Sequence, residues 1–365
     1  DPKFAGLPVN EKTIASRLKS LGYVTGIVGK WHLGAHPSFH PLKRGFNEFF
    51  GFLGGGHQYF PSALEILDPL SVDDEGSSYK TKLNRGLAVV EEQEYITDAF
   101  SREAVSFVDR NRNNPFFLYL TYNAPHSPLQ APDQYLSRFK HIADNRRRIY
   151  AAMVSAIDDG VGKLLDKLKE TGQDKNTLLF FLSDKGGPLD NGSSNHPLSG
   201  KKGNIYEGGV RVPFAMQWPG VIPAGTVYEK PIISLDIFAT ALGSLQKTVQ
   251  TKNPLDGVNL IPFLTGKKKG APHEILFWRN QDMKAYAAIS AEGKKLWMKG
   301  DTTFLYDLGK SGAEKQNIAN EHPELIQKMK NQVAEWDKGL KPPAFLGLSQ
   351  RDEYIRLRNK ANQPQ

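Results

Sequence analysis

Two cationic side chains and two imidazoles fall where a sheet would present them together. Lys30 and His32 stand one residue apart, just past the short β-type run Tyr23 to Val28. His126 lies between Pro125 and Pro128, beyond the apolar run Phe116 to Leu120. Asp184 follows the run Leu178 to Leu182, and Lys201 and Lys202 precede Glu207-Gly208-Gly209. Lysines bind and neutralise a multiply charged oxyanion, and imidazoles move protons. Singly, each feature has an ordinary reading: a surface Lys-x-His, a histidine capping a turn, a turn carboxylate. At consecutive strand ends they predict one oxyanion site, because ligands of open α/β sheets sit beyond the carboxyl ends of the strands.

The elements that must carry these residues are readable from periodicity. Asn10 is the expected N-cap of a helix through Ile14, Leu18 and Leu21, which Gly22 stops. Residues 145–171 form a long helical pattern, with Ile149, Met153, Ile157, Leu164 and Leu168 inward and Gly172 past the end. Continuous apolar runs at Phe116 to Leu120, Leu178 to Leu182 and Val212 to Trp218 predict strands buried on both faces. Strands alternating with helices give the fold class: α/β, a mostly parallel sheet sandwiched by helices, over residues 1–265. Gly266-Lys267-Lys268-Lys269-Gly270 reads as a break. Short segments at Ile275 to Trp278, Ala285 to Ile289, Lys295 to Met298 and Phe304 to Leu308 follow, then a helix from Glu324 to Trp336. They predict a small C-terminal antiparallel sheet plus helix over 266–340, with 341–365 a polar tail.

Composition bounds the function. The 365 residues are 39% hydrophobic and 24% charged, as in soluble globular chains. No apolar run approaches the ~20 residues of a membrane-spanning helix, so no membrane partner is expected. With no cysteine there is no disulfide, thiolate metal site or cysteine nucleophile within these residues. The net charge is 47 − 39 = +8, and residues 267–299 hold eight Lys/Arg against three Asp/Glu. That basic excess suits sulfated glycans or nucleic acid, or is simply a solvated surface; no nucleic-acid-binding module is recognisable. Asp1-Pro2-Lys3-Phe4-Ala5-Gly6 has no initiator methionine and no leader pattern, and reads as a mature or cut end.

Gly29-Lys30-Trp31-His32-Leu33-Gly34 resembles the signature of the formylglycine-dependent sulfatases of the alkaline-phosphatase-like superfamily. Ala124-Pro125-His126-Ser127-Pro128 resembles the family's histidine loop, and Ser183-Asp184-Lys185-Gly186-Gly187 its metal loop. The stretch from Lys202 through Glu207-Gly208-Gly209 to Pro213 resembles its late lysine segment, and Trp218-Pro219-Gly220 and Leu305-Tyr306-Asp307-Leu308 also fit. Arg44-Gly45-Phe46 and the segment Phe50 to His57 look most like sulfatases of N-acetylgalactosamine 4-sulfate and algal polysaccharides. The resemblance implies a calcium-dependent sulfuric ester hydrolase whose partner is a sulfated oligo- or polysaccharide, located in periplasm, lysosome or outside the cell. It implies that Lys30 and Lys202 grip sulfate oxygens, with Lys201 the weaker choice. It implies His126 as proton donor to the leaving sugar oxygen, His32 holding or deprotonating the formylglycine hydrate, and Asp184 ligating calcium. His57 and Arg44 are further candidate substrate contacts.

Three features depart from the family pattern. The Cys/Ser-x-Pro-x-Arg nucleophile motif is absent, and so is the early Asp-Asp pair; Asp158-Asp159 is mid-helix and no substitute. Loss of one N-terminal segment would explain both, and implies a poorly stable chain that does not turn over a sulfate ester. The third is Lys185, where the family has Asn or another ligand; an ammonium has no lone pair for calcium and would stand as a fixed positive charge. A non-catalytic binder of sulfated polysaccharide and a phosphoesterase of the same superfamily are the alternatives.

Overall fold

The structure, a computed structural model, describes residues 6–71, 75–245, 254–310 and 312–342. The chain divides into two compact units, with the boundary in sequence between Asp174 and Lys175.

In the first unit, helix α1 (Ile14–Ser20) leads into strand β1 (Val24–Lys30), and β2 (Glu48–Phe52) follows. A single-turn α2 (Glu75–Ser78), β3 (Leu83–Arg85), β4 (Ala88–Val90), α3 (Ile96–Arg110) and β5 (Phe116–Thr121) come next. The short α4 (Asp133–Leu136) and the long α5 (Asn145–Glu170) complete it. The strands form one mixed sheet in the order β4-β3-β2-β1-β5. β1 is parallel to both β2 and β5, whereas β3 and β4 join antiparallel. Successive residues of the central strands face opposite layers. Ile27 and Phe49 pack with Ala15 of α1, while Val28 and Phe50 pack with Ile96, Ala99 and Phe100 of α3. Burial on both faces is what a continuous apolar run encodes.

The second unit holds β6 (Leu179–Leu182), α6 (Glu207–Val210), β7 (Phe214–Gln217), α7 (Leu235–Gly243) and α8 (Ile261–Leu264). Four strands follow, β8 (Ile275–Asn280), β9 (Ala285–Ser290), β10 (Lys294–Lys299) and β11 (Thr302–Asp307), and then α9 (Pro323–Lys338). β8 to β11 make an antiparallel meander, as their hairpin spacing predicts. Its two faces have different covers. Ala288, Leu296 and Leu305 meet Met329 and Val333 of α9, while Ala287, Trp297 and Tyr306 meet Ile205, just ahead of α6. The break read at 266–270 lies inside this unit, between α8 and β8.

Three expectations need correction. The cap of α1 is Thr13, whose hydroxyl accepts the Ser16 N–H at 3.0 Å; Asn10 lies in the preceding turn. β5 is not buried on both faces but ends the sheet, with Tyr119 47% exposed. Nor are β6 and β7 buried on both faces: Phe181 is 44% exposed, and the two strands pair antiparallel in a two-stranded sheet. The Ser183 N–H donates to Pro213 O at 3.2 Å, so the two ends of the connection lie side by side and the chain re-enters beside the end it left. The tail from 343 onward and residues 1–5 lie outside the described residues.

Candidate active site

The parallel pairs of the first unit bring three strand ends side by side, with Lys30 opposite Phe52 and Gly29 opposite Thr121. Past the strands the chains stay bonded: the Trp31 N–H donates to Phe52 O at 3.0 Å and the His32 N–H to Leu53 O at 3.1 Å. Thr121 Oγ1 donates to Lys30 O at 2.7 Å, pinning the backbone that carries the lysine. His32 has a left-handed backbone, φ +57°. Such conformations in non-glycine residues persist only where the surroundings enforce them. Its ring lies over the turn Gly54-Gly55-Gly56: a methyl at Gly55 would stand 2.6 Å from His32 Nε2, and one at Gly56 2.2 Å from the Tyr79 ring.

The Tyr79 ring in turn meets His126 edge-on, with centroids 6.2 Å apart. His126 is held by its N–H to Asn123 O at 2.8 Å and by Tyr59 Oη donating to its carbonyl at 2.8 Å. Its Nδ1 lies 2.7 Å from Ser127 O. Donation there places the lone pair of the neutral ring at Nε2. His32 and Tyr79 thus flank one glycine turn at the carboxyl end of the sheet, and His126 meets Tyr79. Tyr79 escaped the sequence reading, since nothing in its spacing marks it.

His57 and Arg44 do not sit among them as substrate contacts. His57 is fully buried, with Nδ1 and Nε2 each 2.7 Å from the carbonyls of Gln58 and Thr81. Arg44 is 4% exposed and donates to the carbonyls of Pro8, Val9 and Glu11 at 2.8–3.0 Å. Both organise backbone.

In the second unit, the loops carrying Asp184 and Lys202 are knotted together. The Gly186 N–H donates to Gly209 O at 3.0 Å, the Lys202 N–H to Gly187 O at 3.1 Å, and the Gly208 N–H to Ser199 O at 2.6 Å. Glycine is required at 186, where a methyl would lie 1.7 Å from Gly208 O. Lys202 is half-buried in this knot and Lys201 exposed. Asp184 is mostly exposed and its carboxylate pairs with the Lys185 ammonium. Asp159, the other carboxylate weighed from the sequence, pairs with Arg138, both of its oxygens 2.8 Å from the guanidinium.

Comparison with known proteins settles the family. A sulfatase family model matches residues 2–247, and a model for the C-terminal part of N-sulphoglucosamine sulphohydrolase matches 198–339. The chain belongs to the sulfatase family. It is 34% identical over 303 residues to human N-acetylgalactosamine-6-sulfatase, covering 80% of this chain and 55% of that protein. It is 34% identical over 304 residues to an uncharacterized sulfatase of Escherichia coli, YdeN, covering 75% and 50%. The chain thus spans about half the length of these curated relatives. The crystal structure of Ps i-CgsB in complex with k-i-k-neocarrahexaose superposes with a TM-score of 0.87 at 36% identity, covering 98% of this chain and 81% of that one.

Sulfatases bind calcium, a hard cation that takes about six to eight oxygen ligands. The described residues of this chain do not by themselves offer such a ligand set. Among the described residues no three of His, Asp and Glu stand together as a metal cage. The one carboxylate of the metal loop, Asp184, is neutralised by Lys185. Among the described residues no helix is long and apolar enough to cross a membrane.

Proposed function

We propose that this chain is the sulfate-holding and proton-moving part of a sulfuric ester hydrolase acting on a sulfated carbohydrate. The observation that carries the reading is the Lys202 knot, a lysine half-buried and locked to the Asp184 loop in a chain with carbohydrate sulfatases as relatives. Lys202 and Lys30 neutralise the sulfate oxygens and the charge that grows on them as the ester bond breaks. The leaving sugar oxygen needs a proton. His126 supplies it from Nε2 as an imidazolium, while Nδ1–H stays on Ser127 O and holds the ring in place. His32, set over Gly55, orients and deprotonates the attacking group.

The family's nucleophile is a formylglycine hydrate made from Cys or Ser in Cys/Ser-x-Pro-x-Arg, and no such motif occurs in these 365 residues. The roles proposed are those of this chain's own residues, and no step here runs through formylglycine or calcium. The Asp184–Lys185 pair supports a second reading, a binder of sulfated polysaccharide that does not hydrolyse it.

Calorimetric titration of the chain with a sulfated galactan hexasaccharide and its desulfated counterpart tests what both readings share. Lys202→Ala and Lys30→Ala each remove a charge-assisted contact of about 1.5–3 kcal/mol, so affinity for the sulfated sugar falls roughly ten- to a hundred-fold. Equal affinity for both sugars, or unchanged binding by Lys202→Ala, overturns the reading. Sulfate release by a longer chain carrying the nucleophile motif, with and without Lys185→Asn, then separates the two. Release by the unaltered protein excludes the binder.

A further inference from the structure

Lys295 reads in sequence as one more cation of a basic strand, yet its side chain is fully buried. Its ammonium lies 2.8 Å from Glu207 Oε1 and 2.9 Å from Glu314 Oε1, and both carboxylates are themselves buried. The other oxygen of Glu314 accepts the backbone N–H of Glu207 at 2.8 Å. Glu314 reaches this position with a left-handed backbone, φ +51°. Arg211 approaches Glu207 to 3.9 Å from the exposed side, so two cations balance two anions. Desolvating such groups costs several kcal/mol per ion, and packed apolar or neutral residues serve stability as well or better. The cluster must therefore be weighed for what it holds in place.

What it holds is the turn Glu207-Gly208-Gly209. Gly208 bonds to Ser199 and Gly209 to Gly186, and Lys202 bonds to Gly187 within the same knot. Upstream of the turn, the segment is fixed to the antiparallel sheet by Asn280 Nδ2 donating to Gly203 O at 2.6 Å. Tyr206 stacks on Trp297, with centroids 5.1 Å apart. Apolar stacking alone permits sliding; the directed bonds from the Lys295 ammonium to Glu207 and from the Glu207 N–H to Glu314 do not.

We infer that Lys295 is a positioning residue: through Glu207, and with Glu314 as its second anion, it fixes the turn that sets Lys202 against the Ser183–Gly187 loop. The role rests on the reading of Lys202 as a sulfate-holding residue. It predicts that charge in this buried cluster governs sulfate affinity without any of its members touching sulfate.

The test replaces the cluster with neutral groups of similar size, Lys295→Met/Glu207→Gln/Glu314→Gln, in the full chain. Melting temperature, affinity for inorganic sulfate and amide hydrogen exchange are read together. The expected result is a folded protein of equal or higher melting temperature. Sulfate binding weakens by about tenfold or more, and exchange at the Gly186 and Lys202 amides rises by a similar factor, with β9 and β10 unchanged. A folded triple variant with wild-type affinity and wild-type exchange overturns the inference. If the triple variant does not fold, Glu207→Gln alone decides by the same two amides: faster exchange supports the role and unchanged exchange refutes it. Lys202→Ala in the same titration separates the two claims. Unchanged sulfate binding there sinks the function of Lys202, while the exchange data still judge the cluster.

Discussion

His57 makes acid pH a probe of the turn beside His32. Its ring is fully buried, stacked on Phe52 with centroids 4.3 Å apart, and set between two carbonyls. Those carbonyls favour an imidazolium, which could donate to both; burial disfavours it. Burial is the larger effect and pulls the ring from 6.5 down to about 4. Between those values the unfolded chain binds a proton that the folded ring refuses, so stability is intact above pH 6.5 and is lost as pH falls towards 4. The gap, 6.5 − 4 = 2.5 units, corresponds to about 3 kcal/mol. The assay is urea unfolding of the wild type and His57→Gln across that range, the difference between them isolating this ring. The wild type should lose about 3 kcal/mol more than the variant. Parallel loss in the two proteins would refute this by showing that the carbonyls fully offset burial, and a smaller loss in the wild type would show that they outweigh it. The consequence reaches the site, since His57 ties the 54–58 turn to Thr81 and Gly55 of that turn lies against His32.

Two further predictions separate contacts from scaffolding. Gly55→Ala inserts a methyl 2.6 Å from His32 Nε2 without requiring a left-handed backbone. It should cost about 1–3 kcal/mol of overpacking and shift the His32 imidazole resonances, and an unmoved His32 spectrum would refute the packing described. Arg44→Ala strips a charged donor from three backbone carbonyls. It should destabilise by about 3 kcal/mol or more while leaving sulfate affinity unchanged; weaker binding with intact stability would restore Arg44 as a substrate contact.

The parts of this fold that were legible in the sequence are those whose pattern has one physical cause. β8 to β11 were legible from their short, hairpin-like spacing, and α5 shows its period because one stripe packs inward. That Lys30, His32 and His126 lie at or beyond the carboxyl ends of β1 and β5, and Asp184 beyond that of β6, was legible because each follows a strand-like run. The strand partners were not. Phe116 to Thr121 and Leu179 to Leu182 carry the same apolar signal as β1, yet each pairs on one side only among the described residues. An apolar run records that a strand prefers burial, and says nothing of which strand lies beside it or in which direction.

Destination was equally hidden for the charged groups. Arg44 and His57 sit in glycine- and aromatic-rich stretches that invite a binding role, but their partners are carbonyls brought by other segments. Lys295 is the sharpest case: it neighbours Lys294, whose ammonium pairs with Asp307 across the hairpin. Strand alternation alone puts the two on opposite faces. Which face is buried depends on a turn 88 residues away in sequence, whose Glu207 makes a buried ammonium tolerable. A lysine on a strand is therefore a solvent residue until something far along the chain desolvates and pairs it. That is why a buried cation marks a constraint imposed on the partner segment, here the turn behind Lys202.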